Sequence, residues 1–281
     1  MKDRVVVITG STRGFGYAIA QAMLRAGATV IISGRSKDRL QTALESLESL
    51  GPVSGVACDV RDEQQVYDLA RHVVDQYGRI DVWVNNAGYS ASAGRMVDTP
   101  PEQAMDMFFA NDMGTLYGAR AALQFMMERG AGVLVNIYGA GSFLRPASPT
   151  GLYGATKAWV ASFTRTLATE IKGSGVQIVG FSPGMLLTDM LTSPSVIGEY
   201  GQQMMKNYAF VLRLLGGSPQ KAADRLVSSL QTNHRPFIEV RLFKPWTPMV
   251  GLLRVGWENL TKTGATPQFE LKVIPPYRHK I

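Results

Sequence analysis

Two spacings alternate along the first 240 residues: short unbroken apolar runs, and longer stretches with apolar residues every third or fourth position. RVVVITG (4–10) is a β-branched run closed by glycine, the pattern of a strand buried on both faces. ATVIISG (28–34), GVACDV (55–60), RIDVWVNNAG (79–88), GVLVNIYG (132–139) and GVQIVGFSPG (175–184) repeat it. Between them lie AIAQAMLRAG (18–27) and DRLQTALESLESLG (38–51), whose apolar steps suit a helix face and whose final glycines suit a helix end. Strict strand–helix alternation predicts an α/β fold, a doubly wound parallel sheet of about seven strands with helices on both faces and right-handed crossovers. FIEV (237–240) reads as its last strand. No repeat or low-complexity linker divides the chain, so one domain is expected over 1–240, with a C-terminal extension over 241–281.

Composition narrows the classes. The chain has 281 residues, 46% apolar and 18% charged, which is globular. Its opening MKDRVVVITG has too short an apolar run for a secretory leader, and no run of about 18 apolar residues follows, so a cytoplasmic protein is expected. The single Cys58 excludes an internal disulfide, and with only His72, His234 and His279 beside it no metal-ligand spacing can be assembled. No metal is expected. Net charge is +7, but residues 221–281 hold ten Lys/Arg and four Asp/Glu (+6), whereas the first 220 hold nineteen and eighteen (+1). A basic tail on a near-neutral body without a nucleic-acid motif argues against nucleic acid and toward an acidic partner or a membrane surface.

Chemistry enters at TGSTRGFG (9–16), directly after the first strand and before a helix. Gly10, Gly14 and Gly16 let the backbone turn tightly and approach a pyrophosphate, which the helix N-terminus stabilises. Ser11, Thr12, Arg13 and Phe15 complete this turn, and the fold becomes Rossmann-like. At the end of the second strand SGRS (33–36) replaces the acidic residue that would accept a ribose 2′-hydroxyl. Arg35, beside Ser36, can fork onto a 2′-phosphate, and Arg13 is expected to converge on it. NADPH/NADP is therefore the expected cofactor.

With YGATK (153–157) the chain resembles the short-chain dehydrogenase/reductase family, of the single-domain kind, over about residues 4–240. TGSTRGFG resembles the family's cofactor turn, and Asp59 with Val60 matches its contact to the adenine. NNAG, with Asn86, Ala87 and Gly88, resembles the motif supporting the cofactor, and Asn111 stands where the family has a catalytic asparagine. SPGMLLTD (182–189), with Pro183, Gly184, Met185 and Thr188, resembles the segment flanking the nicotinamide. The resemblance implies a mobile substrate flap at about 185–215, a homodimer or homotetramer, and a lysine that also binds the nicotinamide ribose.

Independently, Tyr153 and Lys157 fall on one helix face. A nearby ammonium favours the phenolate, so Tyr153 is expected to have a lowered pKa and to exchange a proton with a substrate oxygen. The family's serine, three residues after an asparagine like Asn136 and thirteen before the tyrosine, is missing here: those positions are Gly139 and Ala140, in a loop one residue longer than usual. Ser142 is the nearest hydroxyl. Either a tightly folded GAG segment swings it toward the substrate oxygen, the reading taken here, or it closes a turn while backbone amides or water hold the oxygen.

NIYGAGS, YGATK and SPGMLLTD together look like the chlorophyll b reductase branch of the family, which implies reduction of a formyl group on a large hydrophobic substrate. The flap's Met185, Met190, Met204 and Met205 suit such a ligand, or ordinary packing. KPWTPMVGLLRVGWENLTK (244–262), with Trp246, Trp257 and basic flanks, could lie in a membrane interface, cover the substrate, or pack on the domain or a second subunit. A 3-oxoacyl-thioester reductase and a non-catalytic NADP-binding sensor or scaffold remain as alternatives.

Overall fold

The computed structural model describes residues 1–263, 269 and 271–278. Its first half alternates β1 (Val5–Ile8), α1 (Gly14–Arg25), β2 (Thr29–Gly34), α2 (Lys37–Leu47), β3 (Val53–Ala57), α3 (Glu63–Tyr77) and β4 (Val82–Asn85). The second half continues with α4 (Pro101–Phe108), a π-helical segment (Phe109–Met113), α5 (Gly114–Arg129), β5 (Gly132–Ile137), α6 (Gly151–Glu170) and β6 (Val176–Ser182). Then come α7 (Asp189–Thr192), β7 (Ser195–Ile197), α8 (Gly198–Met204), α9 (Tyr208–Leu215), α10 (Pro219–Thr232), β8 (Phe237–Arg241), α11 (Thr247–Thr261) and β9 (Lys272–Ile274).

Seven strands form one parallel sheet in the order β3-β2-β1-β4-β5-β6-β8. Chain order reverses beside β1, so a crevice opens past the carboxyl ends of β1 and β4, where ligands bind in such sheets. The apolar runs become strands because both faces are covered. Val6, Ile8, Val30 and Ile32 pack toward α1 and α10, while Val5, Val7, Ile31 and Trp83 pack toward α3 and α5. GVACDV corresponds to a strand shifted toward the N-terminus: β3 pairs from Val53 and ends at Ala57, after which Cys58 donates its N–H to the Gly34 carbonyl and Asp59 begins the loop.

A buried polar network fixes the centre of the sheet. Trp83 Nε1 donates to Asn85 Oδ1 (2.7 Å), Asn85 Nδ2 donates to Asn136 Oδ1 (2.9 Å), and Asn136 Nδ2 donates to Thr164 Oγ1 (2.9 Å). Asn136, read above only as a reference point for the missing serine, thus ties β4 and β5 to α6. Outside the sheet, β7 and β9 pair in parallel and draw the C-terminal segment toward the connection between β4 and α4, where Tyr277 donates its N–H to the Asp98 carbonyl. The expected extension 241–281 therefore contains a strand paired into the fold, β9, and a largely exposed helix, α11. Its residues 264–268, 270 and 279–281, with His279, lie outside the described residues.

Candidate active site

The glycine turn has the geometry expected of it. Gly10 (φ +62°) and Gly14 (φ +60°) adopt the left-handed region. A Cβ at Gly10 would sit 2.7 Å from Ala87 Cα, and one at Gly16 would run into Asn86 Nδ2 and the Gly10 carbonyl. Asn86 buttresses the turn by donating to the carbonyls of Thr9 (2.9 Å) and Gly10 (3.0 Å). The N–H groups of residues 12–16 donate to no protein acceptor among the described residues, and α1 has no side-chain cap. A row of free donors at a helix N-terminus, with glycine backbone exposed beside it, fits the pyrophosphate of a dinucleotide.

Several expected cofactor contacts are corrected. Ser11 is fully buried: its hydroxyl donates to the Ile8 carbonyl (2.6 Å) and accepts from Ser33 N (2.9 Å), and its own N–H goes to the Ser33 carbonyl. It latches β1 to β2 and has nothing left for a ligand. Ser36 caps α2 through Arg39 N (3.3 Å). Arg13 and Arg35 face different carboxylates. Arg13 Nη1 pairs with Asp189 Oδ2 (3.2 Å) at the start of α7, while Arg35 is exposed and its charge acts on Asp59. An exposed pair such as Arg13–Asp189 contributes only about 0–1 kcal/mol, so a phosphate can displace it. Asp59 is pushed up by burial, but hydrogen bonds from Arg61 prevail and hold it below the ordinary carboxylate range. Val60 packs on Gly114. Thr188 lies 3.8 Å from a Cβ built at Gly14, so the flap begins directly over the glycine turn. Gly184, at φ +80°, makes the bend after Pro183, and the Met185 carbonyl accepts from Gly217 N (2.7 Å).

Tyr153 and Lys157 project from the first turns of α6 toward the end of β5. Lys157 Nζ is buried, donates to the Ile137 carbonyl (3.0 Å) and stands 5.8 Å from the centroid of the Tyr153 ring. A Cβ built at Gly88 would lie 3.2 Å from Asn111 Oδ1 and 3.8 Å from Lys157 Nζ, so Gly88, Asn111 and Lys157 meet at one point. A Cβ at Gly139 would lie 2.6 Å from the Tyr153 hydroxyl and 2.9 Å from Lys157 Cγ. The residue that lacks the family's hydroxyl is thus the one that admits the tyrosine. Beside Tyr153 a small cavity is lined by Ser92, Met96, Met107, Thr150 and Leu152.

Asn111 sits in the π-helical segment. Its Oδ1 accepts from Tyr89 N (2.7 Å), and its Nδ2 donates to the Tyr89 carbonyl (2.9 Å) and to Thr156 Oγ1 (2.9 Å). The side chain clamps the loop after β4 to α6, with no donor left over.

Ser142 is also corrected. It is 1% exposed; its hydroxyl donates to the Lys157 carbonyl (2.9 Å) and accepts from Gly139 N (3.1 Å). Both ends are spent inside the fold, so Ser142 closes the turn behind the tyrosine–lysine pair. Gly141, at φ +91°, lies so close to α6 in this arrangement that a Cβ there would run into the Gly154 backbone.

The electrostatics differ from the expectation too. Burial pushes Tyr153 up to about 12, where a lowered value was expected. The lysine is itself pushed down to about 8 by burial and gives its hydrogen bond to Ile137, so it does not offset that burial. Sequence reasoning missed Asp112. Its carboxyl is 3% exposed, Oδ1 has no hydrogen-bond partner among the described residues, and burial raises it to about 7 while the charge of Lys157 pulls it down. Its position directly after Asn111 was the only available signal. No group of three His, Cys, Asp or Glu able to hold a metal occurs among the described residues.

A doubly wound parallel sheet with a glycine turn at its switch point and a Tyr–Lys pair past β5 defines a nicotinamide-dependent oxidoreductase. The family model of the short chain dehydrogenases matches residues 4–196, and the chain belongs to that family. It is 35% identical over 234 residues to chlorophyll(ide) b reductase NOL, chloroplastic, of Oryza sativa subsp. japonica, covering 80% of this chain and 66% of that protein. The chain thus spans slightly less than two thirds of that relative's length. An uncharacterized oxidoreductase of Staphylococcus epidermidis is 33% identical over 209 residues, 74% of this chain and 89% of its own. Among solved structures, a short-chain dehydrogenase from Streptomyces avermitilis superposes with TM-score 0.73 at 27% identity, covering 94% of this chain and 98% of that one.

Proposed function

We propose that the protein is an NADPH-dependent reductase that converts an aldehyde or ketone of a bulky hydrophobic compound to the alcohol, in the manner of a formyl-to-hydroxymethyl reduction. The carrying observation is the Tyr153 hydroxyl held in the space Gly139 leaves open, with Lys157 buried behind it. The nicotinamide, when bound, supplies the hydride. Tyr153 is protonated at neutral pH and donates its proton to the substrate oxygen as negative charge develops there. The Lys157 ammonium, 5.8 Å from the ring centroid, would turn from the Ile137 carbonyl to stabilise the phenolate left behind. Lys157 and Gly88 border the same space and would hold the nicotinamide ribose side, the free N–H groups of residues 12–16 the pyrophosphate, and Arg35 the 2′-phosphate. Substrate size is supported by the exposed apolar side chains of the flap, Leu187, Met190, Met204 and Phe210, and by the NOL resemblance.

The cofactor half is tested by fluorescence titration. NADPH should bind at least about tenfold tighter than NADH, about 1.4 kcal/mol. Arg35→Asp should reverse that order. Equal affinities of the two cofactors in the unaltered protein would overturn the assignment. The substrate half is tested by following nicotinamide absorbance across a panel of aldehydes of increasing size and apolarity, where kcat/KM should rise with both.

A further inference from the structure

Helix α11 has two opposed faces, and among the described residues only one has a partner. Inward, Gly251 lies so close to α9 that a Cβ would run into the Leu214 carbonyl. Arg213 Nε pairs with Glu258 Oε2 (3.1 Å), Arg213 Nη2 donates to Asn259 Oδ1 (2.8 Å), and Arg254 donates to the Arg213 carbonyl. At 3.6 residues per turn, Trp246, Met249, Val250, Leu253, Trp257 and Leu260 fall in an arc of about 100° on the opposite side. These six are between 55% and 82% exposed. A contiguous apolar face of that kind on a soluble domain marks a contact surface.

Charge selects the occupant. Lys244 and Lys262 bracket the stripe and form no ion pair among the described residues. The two carboxylates between residues 237 and 263 are both neutralised, Glu239 by Arg165 and Arg241, Glu258 by Arg213 and Arg254. An antiparallel pairing of the stripe with its own copy would set Lys244 against Lys262, like charge against like. No described helix is long and apolar enough to cross a membrane, so α11 would lie along one. The segment leading into α11 passes the bend after Pro183, with Phe243 Cβ 3.7 Å from a Cβ built at Gly184, and α9, against which α11 packs, belongs to the expected flap.

We infer that the exposed face of α11 docks the protein on an anionic lipid surface, with the two tryptophans in the interface and the flap side of the cleft turned toward the bilayer. This deepens the hydrophobic-substrate reading, on which its purpose rests: a substrate dissolved in lipid would reach Tyr153 through the flap without crossing water.

The test is cosedimentation of the full chain with vesicles of phosphatidylglycerol and phosphatidylcholine, or of phosphatidylcholine alone, with tryptophan emission recorded. The anionic vesicles should bind at least about tenfold more tightly and shift the emission to the blue. Leu253→Glu with Trp257→Glu should lose that binding, while cofactor affinity and reduction of a small water-soluble aldehyde stay within about twofold. Lys244→Ala with Lys262→Ala should abolish the preference for the anionic lipid. No binding to either vesicle would overturn the inference. So would a dimer in light scattering that the glutamate variant splits, since the face would then belong to a second copy. Vesicle binding needs no turnover, so a protein that docks but reduces no aldehyde would refute the reductase reading alone.

Discussion

Gly139 shows how a missing group can be read in two ways. In the sequence it is an absence, a position without the hydroxyl that the family resemblance calls for, which leaves Ser142 as the nearest candidate. In three dimensions the space of that side chain holds the Tyr153 hydroxyl, while Ser142 is consumed by the Lys157 carbonyl and Gly139 N–H. Tyr153 and Lys157 were legible because helical spacing alone aligns them; Ser142 was not, because a loop's path is set by distant packing such as Gly141 on Gly154. Ser142→Ala would leave the Gly139 N–H without its partner and remove the second hydrogen bond at the Lys157 carbonyl, a loss of about 1–3 kcal/mol and a lower Tm. Turnover per folded molecule should stay within about threefold, against about a hundredfold loss for a direct oxyanion donor. Asp112 carries a second expectation. Its carboxylate favours the Lys157 ammonium, whose pKa is already down at about 8. Asp112→Asn removes that support, so Lys157 should lose its proton at lower pH. The alkaline limb of a kcat/KM profile should shift downward; an unchanged limb would mean the two groups are not coupled.

Among the elements, the inner strands of the main sheet were plain in the sequence because both their faces are buried and the apolar run is nearly unbroken, whereas the edge strands β3 and β8 are half-buried and more mixed. Strands β7 and β9, three residues each, carry no such pattern; their pairing depends on the C-terminal segment returning across the molecule. The π-helical segment was invisible because its residues, FANDM, have no distinguishing propensity; only the hydrogen-bond ladder reveals it. That segment aims Asn111 and Asp112 at α6. Next to it, α5 lies close on β4 because position 118 has no side chain: a Cβ there would run into Asn85 Oδ1, and its next contact is Trp83 Nε1 at 2.8 Å. Gly118→Ala should therefore break the Trp83–Asn85–Asn136–Thr164 network. A loss of about 2–3 kcal/mol in urea unfolding is expected, with a lower midpoint and an unchanged slope. A neutral result would show that the helix can shift without disturbing the network.

For the whole molecule, the family model ends at residue 196, and most of the flap, α10 and α11 lie beyond it. The glycine turn and the tyrosine–lysine pair therefore lie in the part that matches the family. Composition had already marked residues 221–281 by their +6 charge. What composition could not show is that the tail splits, one strand pairing with β7 and one helix exposing its apolar face. All of this presupposes that Tyr153 is the proton donor. The most direct test is Tyr153→Phe, assayed with NADPH and the best aldehyde of the panel, with cofactor binding measured in parallel. Cofactor affinity should hold while turnover falls by about two to four orders of magnitude, the usual worth of general acid–base catalysis. A variant that binds cofactor and keeps more than about a tenth of the activity would contradict the account, because no other described phenol stands beside Lys157.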